Sequence, residues 1–316
     1  MSNFPLQSPT PRWKGVSTLA IILTASIVAI TLLAVISTHF GWWLGLELAS
    51  HFQMQYAIAA SLLLIGILCT RQKLASFLGL FCVALLFTHI VPWYLPSNPV
   101  KTGIPLRLLI ANVNVKNRQA LPVLSLIQQE QPDVIVLMEM NAWWLSQLSP
   151  LHQQWPYSFG QGADSPFGIA ILSRIPLQQP QLQLFGTNDI PSIVTGLRLP
   201  GQLVTLVATH PPPPIQPDLF HERNRHLASA AAYIQRLQPP IVVAGDLNTS
   251  MWSPYYRRLI ASTELLNARR GFGVLPTWPN PGTYGRNIPG ILLWLLSIPI
   301  DHCLISLDLG VQSIHT

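Results

Sequence analysis

Ile241-Val242-Val243-Ala244-Gly245-Asp246-Leu247-Asn248 is an apolar run that ends in an acid and an amide. A strand buried on both faces is near-continuous Val, Ile and Leu. The segment therefore reads as a central strand whose carboxyl end carries polar chemistry. Four other runs have the same design: Leu108-Leu109-Ile110-Ala111-Asn112-Val113-Asn114, Val134-Ile135-Val136-Leu137-Met138-Glu139, Leu203-Val204-Thr205-Leu206-Val207-Ala208-Thr209-His210 and Ile298-Pro299-Ile300-Asp301-His302. Polar groups at strand ends sit on rigid elements and can converge at one rim of a sheet. Residues 120–129 and 222–237 space their apolar side chains as helices. Residues 167–172, 193–199 and 203–208 read as further strands, the last two joined by Pro200-Gly201 as a hairpin. Alternating elements of this kind predict an α/β domain.

The polar endings suit a metal and a phosphate. Side chains alternate along a strand, which places Asn112 with Asn114 and Asp246 with Asn248. A hard divalent cation takes one or two carboxylates and keeps several waters, a role that suits Glu139. Asp246 then lies near an attacking water, the amides donate to phosphate oxygens, and His210 serves as donor or general acid. Any one of these residues has a plainer reading, such as an Asn that caps a turn. Their shared context points to a hydrolase. The tetraproline 211–214 cannot be helix or central strand and stiffens the loop that carries His210.

The rest of the chain is unusually greasy. Of 316 residues, 49% are hydrophobic and 9% charged, against about 25% charged in an ordinary soluble domain. The imbalance sits before residue 96, where Glu47 is the lone acid. Residues 15–37, 56–70 and 74–94 are expected to be three transmembrane helices. Arg12 and Lys14 precede the first, Arg71 and Lys73 fill the turn between the second and third, and the 38–55 loop has neither Lys nor Arg. The positive-inside rule puts the N-terminus in the cytoplasm, and a multi-pass inner-membrane protein with an extracytoplasmic C-terminal domain follows. Trp42, Trp43, Trp93 and Tyr94 fall at span ends, where aromatic belts lie. Pro92, Pro96, Pro99 and Pro105 make a stiff exit linker. The division expected is an anchor over residues 1–95 and one catalytic domain over 96–316.

Net charge of +6 splits evenly between anchor and domain, too mild for a dedicated nucleic-acid binder. Cys303 is the only cysteine of the outer domain, which excludes a disulfide scaffold there. Arg269 and Arg270, with Trp278 nearby, are candidates for substrate contact. Arg223 and Arg225 read as surface salt-bridge partners on a helix. Ile291 to Leu296 is a candidate membrane-dipping loop.

Seven segments in order, Ile110-Ala111-Asn112-Val113-Asn114, the run from Pro132 to Glu139, the run from Gly168 to Arg174, Thr209-His210-Pro211-Pro212-Pro213, Gly245-Asp246-Leu247-Asn248, Pro276-Thr277-Trp278-Pro279 and Ile300-Asp301-His302, resemble the endonuclease/exonuclease/phosphatase superfamily. They extend over residues 105–305. With the three-span anchor, they are similar to a bacterial membrane-bound branch. The resemblance implies two packed mixed β-sheets flanked by helices. It also implies a phosphoesterase that uses Mg²⁺ or Mn²⁺ on a phosphodiester, of nucleic acid or a phospholipid headgroup, or on a phosphomonoester; the apolar spans make the lipid bilayer a second partner. By motif, Glu139 ligates the metal and Asn112 assists it. Asp246 and Asn248 orient the nucleophile, His210 contacts phosphoryl oxygens, and Asp301 matches a carboxylate that orients a later histidine. The chain departs from the pattern at Met138, where the family usually has Gln, and no Ser-Asp-His follows Asp301 before Thr316. An impaired enzyme, or a binding module that keeps the fold, is the alternative expectation. His302 faces away from Asp301 and His315 reads as tail.

Overall fold

The computed structural model describes residues 17–96, 103–187, 190–280 and 289–316. Arg12, Lys14 and Pro99, used above for orientation and the linker, lie outside them. Four helices come first: α1 (Thr18–His39), α2 (Leu44–Ser50), α3 (Gln53–Cys69) and α4 (Lys73–Phe87). Ser17 caps α1 by accepting a hydrogen bond from the Ala20 amide at 3.1 Å. Ile27, Ala34, Ala57, Ala60, Leu64, Ile67 and Leu86 pack α1, α3 and α4 together, and the small residues let the backbones approach closely. Thr18–His39 and Lys73–Trp93 are long and apolar enough to cross a membrane. The expected second span, residues 56–70, falls on α3, which follows α2 at a bend of 70°; the two make a third crossing if the pair acts as one.

The remaining elements form two sheets. The first holds β1 (Leu108–Asn112), β2 (Val134–Met138), β3 (Tyr157–Gln161) and β4 (Ile169–Ser173) in the order β1-β2-β4-β3, with α5 (Ala120–Glu130) and α6 (Ala142–Leu148) outside. The second holds β5 (Leu177–Phe185), β6 (Ile190–Leu199), β7 (Gln202–Ala208), β8 (Ile241–Asp246), β9 (Leu266–Asn267) and β10 (Asp301–Ile305), in the order β5-β6-β7-β8-β10-β9. Its helices are α7 (Pro217–Ile234), α8 (Pro254–Thr263) and α9 (Gly290–Leu296). Among the described residues only β1/β2 and β7/β8 pair in parallel; α5 and α7 carry those crossovers, as parallel strands require.

Alternation along each strand divides the core. Val134, Val136, Met138 and Ile171 of the first sheet meet Ile193, Leu206, Val242 and Ala244 of the second. Ile135 and Leu137 turn outward to Ile127, Trp144 and Leu148. On the other outer face, Val194, Val207 and Val243 pack under Leu227, Ala230 and Ile234, in a cluster that continues into α1, α3 and α4. The result is the expected sandwich of two mixed sheets between helices.

Several local expectations are corrected. The fifth apolar run is not a strand that ends in Asp301; β10 starts there and runs antiparallel to β8, with Asp301 opposite Asp246. The amino end of β10 thus shares a rim with the carboxyl end of β8. Asn114 (φ 60°) and Asn248 (φ 48°) lie in left-handed turns past β1 and β8, where strand alternation no longer applies; Asn tolerates that conformation better than most residues. Residues 290–296 are a helix, not a loop. Arg223 is not at the surface: it is fully buried and paired with Glu47 of α2 at 2.6 Å. Arg225 is exposed and pairs with Glu222 at 2.7 Å.

Candidate active site

Four strand ends meet at one rim. Asn112 closes β1, Glu139 follows β2, His210 lies two residues past β7, and Asp246 closes β8. Asn112 Nδ2 donates to Glu139 Oε1 at 2.8 Å and to Asp246 Oδ2 at 3.1 Å, so one amide bridges carboxylates from both sheets. The Val115 amide donates to Glu139 Oε2 at 3.0 Å. Glu139 itself has φ 61°, a sparsely populated conformation for a non-glycine residue, of the kind that clusters at functional sites.

Gly245 makes the second half of the site possible. At its φ of 151°, an added Cβ would lie 1.9 Å from the Thr209 carbonyl oxygen. Only glycine lets the β7 loop approach β8 so closely. His210 Nδ1 then donates to the Asp246 carbonyl at 3.0 Å, which leaves Nε2, 3.9 Å from Glu139 Oε1, as the unprotonated nitrogen of the neutral ring. Burial lowers the His210 pKa; the Asp246 carbonyl and the Glu139 and Asp301 charges oppose that shift. In its resting form the ring is therefore an acceptor at Nε2, and it donates only after it gains a proton.

The two aspartates are held near neutrality. Burial pushes Asp246 up to about 7, against hydrogen bonds from the Asn248 amide and Asn112. Burial and the adjacent Asp246 charge push Asp301 up to about 7 as well. Asn248 fixes the turn between them and the proline loop: its amide donates to Asp246 Oδ1 at 2.9 Å and its Nδ2 to the Pro211 carbonyl at 2.9 Å. Met138 has its own task. Its Sδ accepts the Asp246 amide at 3.0 Å across the sandwich.

Sequence reasoning missed some supports and misplaced others. Thr277 Oγ1 accepts the Ile300 and Asp301 amides, both at 3.2 Å, and Trp278 pairs its backbone with Ile298 beside it. Arg269 is not a substrate-facing side chain. It is buried and donates to the carbonyls of Val274, Leu275 and Asp301. Arg270 is exposed on the adjoining turn. His302 is structural, as its strand face implied: Asn267 Nδ2 bonds Nδ1 at 2.9 Å, Nε2 bonds the Thr249 carbonyl at 2.8 Å, and Tyr256 covers the ring.

Among the described residues no group of three or more His, Cys, Asp or Glu side chains encloses a metal position. The donors instead suit a hard cation that keeps most of its waters. Glu139, 19% exposed, would supply one carboxylate, a protein share that Mg²⁺ commonly takes.

A two-sheet α/β sandwich with amides, carboxylates and a histidine at one rim defines a class of phosphoesterase folds. The endonuclease/exonuclease/phosphatase family model matches residues 109–316, and the chain belongs to that family. Among solved structures, TDP2 of D. rerio complexed with single strand DNA product has a TM-score of 0.51 at 16% identity, over 64% of this chain and 84% of that one. Sphingomyelinase C from Streptomyces griseocarneus gives 0.47 at 18% identity, over 66% and 86%. No curated protein matches the chain. Membership of that family supports a hydrolase of phosphoric esters; the solved structures support the fold.

Proposed function

We propose that this protein is a membrane-anchored phosphodiesterase that uses Mg²⁺ or Mn²⁺ and cleaves phospholipid headgroups outside the cytoplasm. The observation that carries the reading is the Asn112 bridge, which sets Glu139 of one sheet beside Asp246 of the other. Glu139 would hold the cation, with Asn112 orienting its carboxylate. When bound, the cation supplies charge to the phosphoryl oxygens and lowers the pKa of a bound water.

The chain's own residues do the rest. Asp246, with a pKa of about 7, is matched to accept a proton from the attacking water at neutral pH. His210 Nε2, once protonated from solvent, donates a hydrogen bond to a phosphoryl oxygen; burial opposes that charge, while the Asp246 carbonyl, Glu139 and Asp301 favour it. Asn248 keeps the Asp246 carboxylate aimed. Asn114, Arg270 and Trp278 are proposed substrate contacts at the rim.

The choice of lipid over nucleic acid rests on α9. Ile291, Leu292, Trp294, Leu295 and Leu296 are exposed on it, and only Leu293 is buried. Its C-cap Ser297 offers its carbonyl to Gln55 Nε2 in the first turn of α3 at 3.0 Å. The greasy helix is thus tied to the start of α3, and Trp42, Trp43, Tyr94 and Leu95 of the apolar region are exposed as well. Amphipathic Trp and Tyr favour membrane interfaces. Asp301 is five residues past Leu296, within about 17–18 Å of contour, so a headgroup phosphate is in reach.

The test is full-length protein in vesicles that contain headgroup-labelled phospholipid, with single-stranded DNA offered in parallel and Mn²⁺ present. Mn²⁺-dependent headgroup release supports the reading; cleavage of DNA alone reassigns the substrate, and cleavage of neither refutes it. A C-terminal fluorescent reporter that matures only in the cytoplasm should stay dark.

A further inference from the structure

The lone acid of the apolar region is not at a lipid face. Glu47 is fully buried, and its Oε1 accepts from Arg223 Nη2 at 2.6 Å and Ser253 Oγ at 2.7 Å, with Thr249 Oγ1 at 3.5 Å. Arg223, also fully buried, uses Nη1 to donate to the carbonyl of Asn248 at 3.0 Å. His51, just past α2, bonds Ser250 Oγ through Nδ1 at 2.9 Å. Trp252 Nε1 donates to the His89 carbonyl near the end of α4 at 2.9 Å. The loop after β8 therefore has a double character. Asp246 and Asn248 at its start belong to the active site, while residues 249–253 are gripped by the apolar helices.

Sequestering a carboxylate and a guanidinium costs several kcal/mol per ion, and well-packed apolar residues commonly give equal or better stability. A helix that served only as an anchor has no need of such a pair. The geometry matches another task. Asn248 holds a left-handed turn, and its carbonyl is fixed by an arginine that Glu47 in turn fixes. A turn of this kind sets the aim of Asp246, and misplacement of about 1 Å in an active site can cost 10²-fold in rate.

We propose that Glu47 is a positioning residue for the active site: acting through Arg223 and Asn248, it makes the apolar helices a working part of the catalytic centre. The proposal rests on the phosphodiesterase reading for its effect on rate, but not for its effect on the loop.

The experiment compares full-length parent, Glu47→Asp, and the paired replacement Glu47→Leu with Arg223→Met, all in detergent. The apolar pair avoids a stranded buried charge, so it is expected to melt within a few degrees of the parent. Two readouts follow, amide hydrogen exchange over residues 246–253 and Mn²⁺-dependent kinetics on a bis-aryl phosphate. The proposal expects faster exchange in that loop alone, with kcat down at least tenfold, KM within about twofold, and Glu47→Asp between the two. Parent-like exchange overturns it, and so does a loosened loop with parent-like kcat. If the pair does not fold, Glu47→Asp with parent-like exchange and kcat overturns it as well. An inactive parent whose loop still loosens on replacement sinks the phosphodiesterase reading and leaves the positioning of the loop standing.

Discussion

Asn112 and Asp246 lie 134 positions apart in sequence and on different sheets, yet the amide of one donates to the carboxylate of the other at 3.1 Å while also holding Glu139 at 2.8 Å. This contact joins the two halves of the sandwich at the rim of the candidate site. Asn112→Ala removes both of these bonds to carboxylates, each worth about 1.5–3 kcal/mol, so the domain should still fold but melt at a lower temperature. It should lower kcat by about 10²-fold, the scale for misplacement of active-site groups by about 1 Å. Thermal melting and steady-state kinetics in the presence of Mn²⁺ check both halves of that expectation.

Glu139 should account for the cation response. A ligand that binds the folded state raises Tm, so Mn²⁺ should stabilise the parent and fail to stabilise Glu139→Ala. Equal Tm shifts in the two would move the metal elsewhere.

Met138 carries a structural acceptor in place of an amide side chain. Its thioether is a weak acceptor for the buried Asp246 amide. Met138→Leu keeps the volume but strands that N–H, at a cost of about 1–3 kcal/mol. Met138→Gln restores an oxygen acceptor and should recover much of the loss. Chemical denaturation of the two variants in detergent reads the difference directly.

Much of this site was legible because strand ends are local features. An apolar run followed by Asn, Glu or Asp needs no knowledge of partners, and four of the five endings fell at one rim. The fifth was misread in direction: Asp301 reached the rim because β10 is antiparallel to β8, a fact of pairing that the run Ile298-Pro299-Ile300 does not contain. Arg223 was misread for the same reason. Its partner Glu47 lies 176 positions away, and an i, i+4 view of a helix shows only solvent. The long-range signal, a single acid in an apolar stretch and an arginine near the domain's catalytic loop, was present but had no local pairing to expose it.

The buried histidines make stability pH-dependent. Burial holds His302 neutral, with a pKa well below the usual 6.5. Below pH 6.5 the unfolded chain binds more protons at this position than the folded chain, so stability falls as pH falls. Asp246 and Asp301, raised to about 7 from 3.8, act with the opposite sign: the folded state binds more protons between those values, and their contribution is lost as pH rises. A His302→Gln comparison isolates the first effect. Between pH 7 and pH 5 the parent should lose more stability than the variant; parallel curves would contradict the assignment.

The most direct test of the central claim is hydrolysis of a bis-aryl phosphate by the purified full-length chain, with and without Mn²⁺ or Mg²⁺, alongside Asp246→Ala and His210→Ala. The site described here predicts turnover that requires the cation and falls about 10²–10⁴-fold in each variant, mainly in kcat. A parent inert with every divalent cation, or an Asp246→Ala variant as fast as the parent, would contradict it.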